Sequence, residues 1–157
     1  MPTLYLICGF IGSGKTTYAK QLAQDESAFR FSIDEWMIPL YGEHMAREVF
    51  TARLATLQGL FKQAALQMLN LNVSVIFDFG FWTKADRDAI SAWAIEQGVD
   101  CQLIYLEASF DACCERALKR NATRHGESYA MTPEMLDMFW SWFEAPQGEP
   151  VKVIPNR

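Results

Sequence analysis

Short apolar segments alternate with longer segments of helical periodicity along this chain. Five short segments lack a helical repeat, which predicts strands: residues 3–8, 29–33, 73–79, 101–106 and 151–154. Longer segments carry apolar residues at helical spacing, which predicts helices: residues 14–25, 43–70, 83–98, 109–124 and 133–143. Strands that alternate with helices in this order predict a parallel sheet.

The predicted architecture places a ligand site at one edge of that sheet. Right-handed crossovers bring the carboxyl ends of parallel strands to the same edge, where α/β proteins bind their ligands. Helices on both faces of a central, mostly parallel five-stranded sheet give a three-layer α/β fold. We expect residues 1–157 to form a single domain, because a chain of this length buries one contiguous core.

A glycine-rich segment follows the first predicted strand. Gly9 to Thr16 (GFIGSGKT) matches the P-loop pattern G-x-x-x-x-G-K-[ST]. Closely spaced glycines let backbone N–H groups converge on an anion, and the helix that begins there adds the positive end of its dipole. Lys15 would neutralise charge on the β- and γ-phosphates, and the Thr16 hydroxyl would be a ligand of Mg²⁺. The sequence therefore predicts a nucleoside triphosphate site made of the following residues: Gly9, Gly12, Ser13, Gly14, Lys15, Thr16 and Thr17.

Composition narrows the choice of ligand and location. The formal net charge of −5 and the pI near 5.0 predict a surface that repels a phosphate backbone, so a long nucleic acid is a poor candidate partner. The four cysteines have no C-x-x-C spacing, which favours reduced core thiols over a metal site. No apolar run has the length of a membrane span and residues 1–3 carry no basic leader pattern, so we expect a cytoplasmic protein with no membrane contact.

From CGFIGSGKTT to MTPEMLDMFWSWFEAP, the chain resembles the small P-loop kinases of the adenylate kinase-like group. It is especially similar to the ATP-dependent kinases related to polynucleotide 5′-kinase, zeta toxin and chloramphenicol phosphotransferase. The resemblance rests on four segments: the P-loop, FSIDEWM, VIFDFGFW and ERALKRNATRHGESYAM. It implies the three-layer P-loop NTPase fold, ATP and Mg²⁺ as ligands, a hydroxyl as phosphoryl acceptor, and a small lid at about residues 120–132.

Asp34 in FSIDEWM follows the second predicted strand, at the ligand edge of the sheet. A carboxylate there could accept the proton of a hydroxyl in line with the γ-phosphate, and the resemblance implies this general-base role. A helix N-cap or an Asx turn is the alternative. Polynucleotide 5′-kinases place an arginine three residues later to hold the substrate phosphate. This chain has Met37 there, which argues against a nucleic-acid 5′ end as the acceptor.

Asp78 in VIFDFGFW ends the third predicted strand. A strand-end aspartate can hold Mg²⁺ through water as a Walker-B aspartate does, and the resemblance places it near Thr16. Contact with the acceptor or capping of the turn are the alternatives. Arg87 on the following helix either faces the acceptor, as the resemblance implies, or is a solvated helix arginine.

Arg116, Arg120 and Arg124 recur every four residues and therefore share one face of a predicted helix. A solvated stripe would account for them. The resemblance instead implies a lid whose arginines reach over the ATP phosphates and stabilise the transferring group. On that basis we expect Arg120 and Arg124 to be catalytic and Arg116 to pack beneath the nucleotide.

Aromatic residues cluster in sequence around the ends of the second and third predicted strands: Phe31, Trp36, Tyr41, Phe81 and Trp82. They either line an acceptor pocket or pack the sheet edge against the long second helix. An aromatic-lined pocket would suit an acceptor with an apolar or aromatic part.

Together these features predict an enzyme that transfers the γ-phosphoryl group of ATP to a hydroxyl of a small molecule. The expected catalytic residues are Lys15, Asp34, Arg120 and Arg124, with Mg²⁺ at Thr16 and Asp78. A nucleoside, nucleotide or polynucleotide 5′-kinase is one alternative. A nucleotide-binding switch or toxin-like protein with little catalysis is another, although the N-K-x-D motif of GTPases is absent from the sequence. The sequence leaves open whether the protein is a monomer or a homodimer and whether it prefers ATP or GTP.

Overall fold

A computed structural model of the protein describes residues 1–123 and 128–156. Its strands are β1 (Leu4–Cys8), β2 (Phe29–Ser32), β3 (Val75–Gly80), β4 (Cys101–Glu107) and β5 (Lys152–Pro155). Its helices within these residues are α1 (Lys15–Asp25), α2 (Ile33–Tyr41), α3 (Arg47–Asn70), α4 (Lys84–Glu96), α5 (Phe110–Arg120) and α6 (Pro133–Trp142).

The strands form one five-stranded sheet in the order β2-β3-β1-β4-β5. Every neighbouring pair is parallel, so the predicted mostly parallel sheet is confirmed. The central strand β1 leads into the glycine-rich segment, and β3 lies beside it. The carboxyl ends of β1, β2 and β3 therefore meet at one edge, where the P-loop begins.

Helices cover both faces of the sheet. Alternate residues of β1 point to opposite sides, as the period of a strand requires. Leu6 lies in a core cluster with Phe61 of α3 and Ile90 of α4, whereas Ile7 lies in a separate cluster with Ala19 of α1. The three-layer α/β fold expected from the sequence is confirmed.

Helix caps follow the sequence closely, with one helix missed. The hydroxyls of Thr83, Ser109 and Thr132 each accept the backbone N–H three residues later, as N-caps do. Helix α2 was not predicted, and it contains Pro39, a residue that disfavours a helix interior. Burial of Met37, which is 0% exposed, anchors this short helix to the core.

Arg87 of α4 is buried, with 1% exposure, and its guanidinium is fully engaged in the fold. Its Nε and Nη2 donate to Glu149 at 2.8 and 2.9 Å, and its Nη1 donates to the Phe81 carbonyl at 2.9 Å. Phe81 has a left-handed backbone, with φ of 47°, which a bulky residue seldom adopts. The solvated alternative for Arg87 is therefore wrong, since this side chain holds the turn after β3, and its contact with an acceptor stays a prediction.

Replacing Glu149 by glutamine is expected to lower the free energy of unfolding by about 3 kcal/mol, because Arg87 would stay buried without its counter-charge. Urea denaturation at pH 7 measures the loss, and Glu96→Gln on the exposed side of α4 is the matched control. Hydrogen bonds from Arg87 lower the pKa of Glu149. The stabilisation from this pair is therefore fully present above the unfolded-state pKa of a glutamate, and it is lost as pH falls through the lower folded-state pKa. The difference in free energy of unfolding between wild type and Glu149→Gln should therefore shrink in acid. Equal urea midpoints at pH 7 would contradict this account.

Candidate functional site

The P-loop between β1 and α1 has a backbone that depends on its glycines. Gly12 and Gly14 have φ of 77° and 97°, in the left-handed region. A Cβ at Gly12 would lie 2.3 Å from the carbonyl oxygen of Cys113, and one at Gly14 would lie 2.1 Å from Nδ2 of Asn156. Backbone of Cys113 leaves no room for a side chain at Gly12, whereas a Cβ at Gly14 would displace the Asn156 side chain. The left-handed φ at both positions further favours glycine.

Side chains from distant parts of the chain hold the P-loop carbonyls. Trp82 Nε1 donates to the Gly9 carbonyl at 3.2 Å, and Asn156 Nδ2 donates to the Ser13 carbonyl at 2.6 Å. Arg116 donates from Nη1 to the Gly12 carbonyl at 3.3 Å and from Nη2 to the Asn156 carbonyl at 3.2 Å. Arg116 therefore lies against the loop, and its expected contact with nucleotide stays a prediction.

Asn156→Ala is expected to weaken nucleotide binding about fivefold, which corresponds to the loss of one neutral hydrogen bond that orders the loop. Titration of wild type and variant with ATP in Mg²⁺ measures the dissociation constant. Asn70→Ala, at the exposed end of α3, is the control. An unchanged ATP affinity in Asn156→Ala would show that the contact with Ser13 does not order the phosphate site.

Polar groups of the loop fit a bound phosphate chain. The Ser13 hydroxyl is buried and has no hydrogen-bond partner among the residues that the structure describes. No side chain caps the amino-terminus of α1, and Thr16 and Thr17 are exposed in its first turn. Lys15 Nζ donates to the Phe10 carbonyl at 3.2 Å, which uses one of its three donors. Free donors at a helix amino-terminus are what an anion requires.

Asp34 lies in the first turn of α2, and Ser32 occupies the N-cap position. The alternative that Asp34 is the N-cap is therefore wrong. Burial of the Asp34 carboxyl raises its pKa to about 6. The negative charge of Asp78 raises this pKa further, whereas the positive charges of Lys15 and Arg120 lower it. These residues are within electrostatic range of Asp34, so the structure brings Lys15, Asp34, Asp78 and Arg120 to one site.

Asp78 is 7% exposed and lies in β3, opposite Ser32 of β2. Its Oδ2 accepts a hydrogen bond from Arg30 Nη1 at 3.0 Å, and Arg30 also pairs with Glu35 of α2. Burial raises the pKa of Asp78, whereas Lys15 and Arg30 oppose the rise. The sequence analysis missed Arg30 and Glu35. The available signal was a charged residue inside an otherwise apolar strand segment.

A Mg²⁺ site at Thr16 and Asp78 stays a prediction, and the donor set suits it. Within residues 1–123 and 128–156, no cluster of three or more His, Cys, Asp or Glu side chains could hold a metal by itself. Mg²⁺ in phosphate-transfer sites uses only one or two protein oxygens and takes the others from phosphates and water. One threonine hydroxyl and one strand-end carboxylate match that requirement.

The expected lid lies partly within the described residues. Arg120 is the last residue of α5, and Arg124 and His125 lie outside the described residues. Asn121 bridges the base of the segment, since its Nδ2 donates to the Met131 carbonyl at 2.6 Å and its Oδ1 accepts the Met131 N–H at 2.9 Å. Residues 121 and 131, both within the predicted lid, are thereby joined.

The five aromatic residues near the strand ends do not form one wall. Trp82 packs against Phe10 of the P-loop, with ring centroids 5.5 Å apart. Phe31 and Phe81 are buried in the core between sheet and helices, as the packing alternative predicted. Trp36 and Tyr41 of α2 are each 42% exposed, so these two side chains alone among the five present substantial surface.

Known proteins resemble this chain in sequence family and in fold. The AAA domain family matches residues 4–146. A protein from Chloroflexus aurantiacus J-10-fl, described provisionally as a kinase, is 25% identical with a TM-score of 0.74, and the match covers 98% of this chain and 88% of that one. The Pnkp1/Rnl/Hen1 RNA repair complex contains a chain with 16% identity and a TM-score of 0.69, with 90% and 43% covered. A gluconokinase from Sinorhizobium meliloti 1021 has 16% identity and a TM-score of 0.63, with 99% and 83% covered.

The last two similarities concern the fold alone, because their identities are low. No sequence among curated proteins matches the chain. In the part of the chain that the structure describes, no helix is both long and apolar enough to span a membrane. The family match covers most of the chain and begins at β1, so the protein belongs to the AAA domain family and has a P-loop kinase-like fold.

Proposed function

We propose that this protein is an ATP-dependent phosphotransferase that moves the γ-phosphoryl group to a hydroxyl of a small molecule. The observation that carries the proposal is Asp34, a carboxylate with a pKa of about 6 that interacts with Lys15 and Arg120 beside the P-loop. A base with this pKa is ionised at neutral pH and still binds a proton readily. A protein that only binds nucleotide has no need of such a group.

The reaction would begin with the acceptor hydroxyl next to Asp34. As the acceptor oxygen forms a bond to the γ-phosphorus, its proton passes to the Asp34 carboxylate. The bond between the γ-phosphorus and the β,γ-bridging oxygen breaks, and ADP leaves. Positioning and electrostatic stabilisation dominate reactions of this type, and covalent chemistry by the protein is minor.

Positive groups on two sides would stabilise the transferring group. Lys15 and the backbone N–H groups of the P-loop would act on the β- and γ-phosphates, and Arg120 would approach from α5. Mg²⁺, held by Thr16 and through water by Asp78, would neutralise charge on the phosphate oxygens. The ion pair with Arg30 would keep Asp78 in place on β3.

A small acceptor is favoured by charge and by the sequence of α2. The chain carries a net charge of −5, which opposes binding of a polyanion. Met37 lies buried in α2, so this helix offers no arginine at the position where polynucleotide 5′-kinases hold a phosphate. The gluconokinase with a similar fold is named for a small hydroxylated substrate. The exposed faces of Trp36 and Tyr41 would suit an acceptor with an apolar part.

A polynucleotide 5′-hydroxyl is the second candidate acceptor, because a chain of the RNA repair complex shares the fold. The two candidates differ in how their binding responds to salt. Neutralisation of several phosphates makes polymer affinity fall steeply as salt rises, whereas a small neutral acceptor is nearly insensitive.

The test combines a pool screen with that salt dependence. The protein is incubated with γ-labelled ATP, Mg²⁺ and separate pools of polyols, hydroxy acids, nucleosides and short 5′-hydroxyl RNA, and labelled products are separated. We expect transfer into one of the small-molecule pools with a KM for the acceptor that changes little between low and moderate salt. Label found only on RNA would support the second candidate instead. Label in no pool would contradict the kinase proposal.

A further inference from the structure

Tyr129 has a buried hydroxyl without a hydrogen-bond partner among the residues that the structure describes. Among the residues that the structure describes, only this oxygen and that of Ser13 are buried side-chain polar atoms without a hydrogen bond. Burying an unpaired hydroxyl is unfavourable, and such groups in native proteins usually have a functional explanation. Ser13 lies in the phosphate-binding loop, so Tyr129 is the one that the nucleotide site leaves unexplained.

Contacts on both sides fix the position of the Tyr129 ring. Its edge packs against Phe50 at the start of α3, with ring centroids 6.3 Å apart at 74°. The next residue, Ala130, donates its N–H to Oε1 of Glu43 at 3.3 Å, in the connection between α2 and α3. Asn121 holds Met131, one residue further on. The end of α5 and the α2–α3 connection thus hold the backbone that follows Tyr129, and Phe50 packs against its ring.

The charges of two carboxylates act on the Tyr129 hydroxyl. Burial together with the negative charges of Asp34 and Glu43 raises the pKa of Tyr129 to about 12. The phenol is therefore protonated at neutral pH and available as a hydrogen-bond donor. Asp34 is the proposed general base, so this donor lies within electrostatic range of the group that would activate the acceptor.

We propose that the Tyr129 hydroxyl donates a hydrogen bond to the phosphoryl acceptor, at an oxygen adjacent to the hydroxyl that Asp34 deprotonates. This inference rests on the proposed phosphotransferase function and narrows its substrate class. The acceptor would carry at least two neighbouring oxygens, as a polyol or a hydroxy acid does. A site that hydrogen-bonds a substrate oxygen discriminates strongly against the analogue that lacks it, because the protein group is then left unpaired.

The first arm of the test needs no acceptor. Tyr129→Phe removes the hydroxyl and keeps the ring against Phe50, so the melting temperature of the ligand-free protein should stay within about 2 °C of wild type or rise. Tyr5→Phe on β1 is the reference for the loss of a bonded hydroxyl, because the Tyr5 hydroxyl forms side-chain hydrogen bonds with Thr3 and Glu26. A drop of more than about 5 °C for Tyr129→Phe, or a drop as large as that of Tyr5→Phe, would show that the Tyr129 hydroxyl is bonded within the fold and would overturn the inference.

The second arm uses γ-labelled ATP with the polyol and hydroxy-acid pools, followed by the best acceptor and its deoxy analogue. Tyr129→Phe should raise the KM for the acceptor at least about tenfold, leave the KM for ATP unchanged and reduce discrimination against the deoxy analogue. Equal acceptor KM values in wild type and variant would overturn the role of Tyr129 and leave the kinase function intact. Normal ATP binding with no transfer by wild type to any pool would overturn the proposed function, and with it the role of Tyr129.

Discussion

Lys15→Ala is expected to lower the rate of phosphoryl transfer about 10³-fold, the effect of removing a cation that stabilises transition-state charge. The Lys15 side chain is the only cationic group within the P-loop motif itself. It also lowers the pKa values of Asp34 and Asp78, so it lies within electrostatic range of both. Alanine removes this charge and leaves the backbone N–H groups of the loop in place.

Steady-state kinetics with γ-labelled ATP and a transferring acceptor measures this loss. Lys84→Ala is the matched control, because Lys84 forms an exposed ion pair with Asp88 on α4 and such pairs contribute little. Circular dichroism should show the same fold for both variants. Transfer by Lys15→Ala within about tenfold of wild type would remove Lys15 from the catalytic centre.

Asp34→Asn is expected to reduce kcat about 10³-fold while ATP affinity changes less than about threefold, because the amide cannot accept the acceptor's proton. The KM for ATP should change little, since Lys15 and the P-loop hold the phosphates. Asp25→Asn, at the exposed end of α1, is the control for a simple loss of negative charge. Retained turnover in Asp34→Asn would show that a group other than Asp34 accepts the proton of the acceptor hydroxyl.

The pH dependence of wild type gives the same residue a second test. Asp34 has a pKa raised to about 6, and a general base is active when ionised. The rate kcat/KM for the acceptor should therefore rise as pH increases through about 6 and level off above it. Asp34→Asn should lose this rise. A wild-type profile that is flat between pH 5 and pH 7, the interval around that pKa, would contradict the assignment.

Much of the fold follows from local sequence signals. The strand segments are short and apolar and are bounded by glycine or polar residues, so periodicity locates them within one or two residues of β1 to β5. Thr83, Ser109 and Thr132 mark helix starts because their hydroxyls satisfy backbone donors that a helix leaves free. The P-loop can be recognised from the sequence because its glycines, lysine and threonine each meet a separate requirement of phosphate and Mg²⁺ binding.

The parts that sequence reasoning missed depend on pairings between distant residues. Arg30 lies opposite Ile76, two residues before Asp78 on the neighbouring strand, so its ion pair depends on the β2–β3 register. Asn156 contacts Ser13 across 143 residues of sequence. Helix α2 was not predicted; the local effect of Pro39 is unfavourable, and burial of Met37 outweighs it.

The candidate site is predictable in its nucleotide half and much less so in its acceptor half. Phosphate recognition uses backbone geometry that leaves a glycine signature in the sequence. The proposed acceptor contact uses Tyr129, whose position comes from the packing of residues 129–131 against the α2–α3 connection and the start of α3. Because such side-chain contacts differ among proteins of one fold, the fold does not identify the acceptor, and the acceptor has to be inferred from the residues of the site.

The most direct test of the central claim is a label balance with γ-labelled ATP and Mg²⁺, measured with and without the polyol and hydroxy-acid pools. The account predicts that wild type places label in a small hydroxylated product, that inorganic phosphate is a minor product when acceptor is present, and that Lys15→Ala forms neither. Label recovered only as inorganic phosphate, or left on ATP in the presence of every pool, would contradict it.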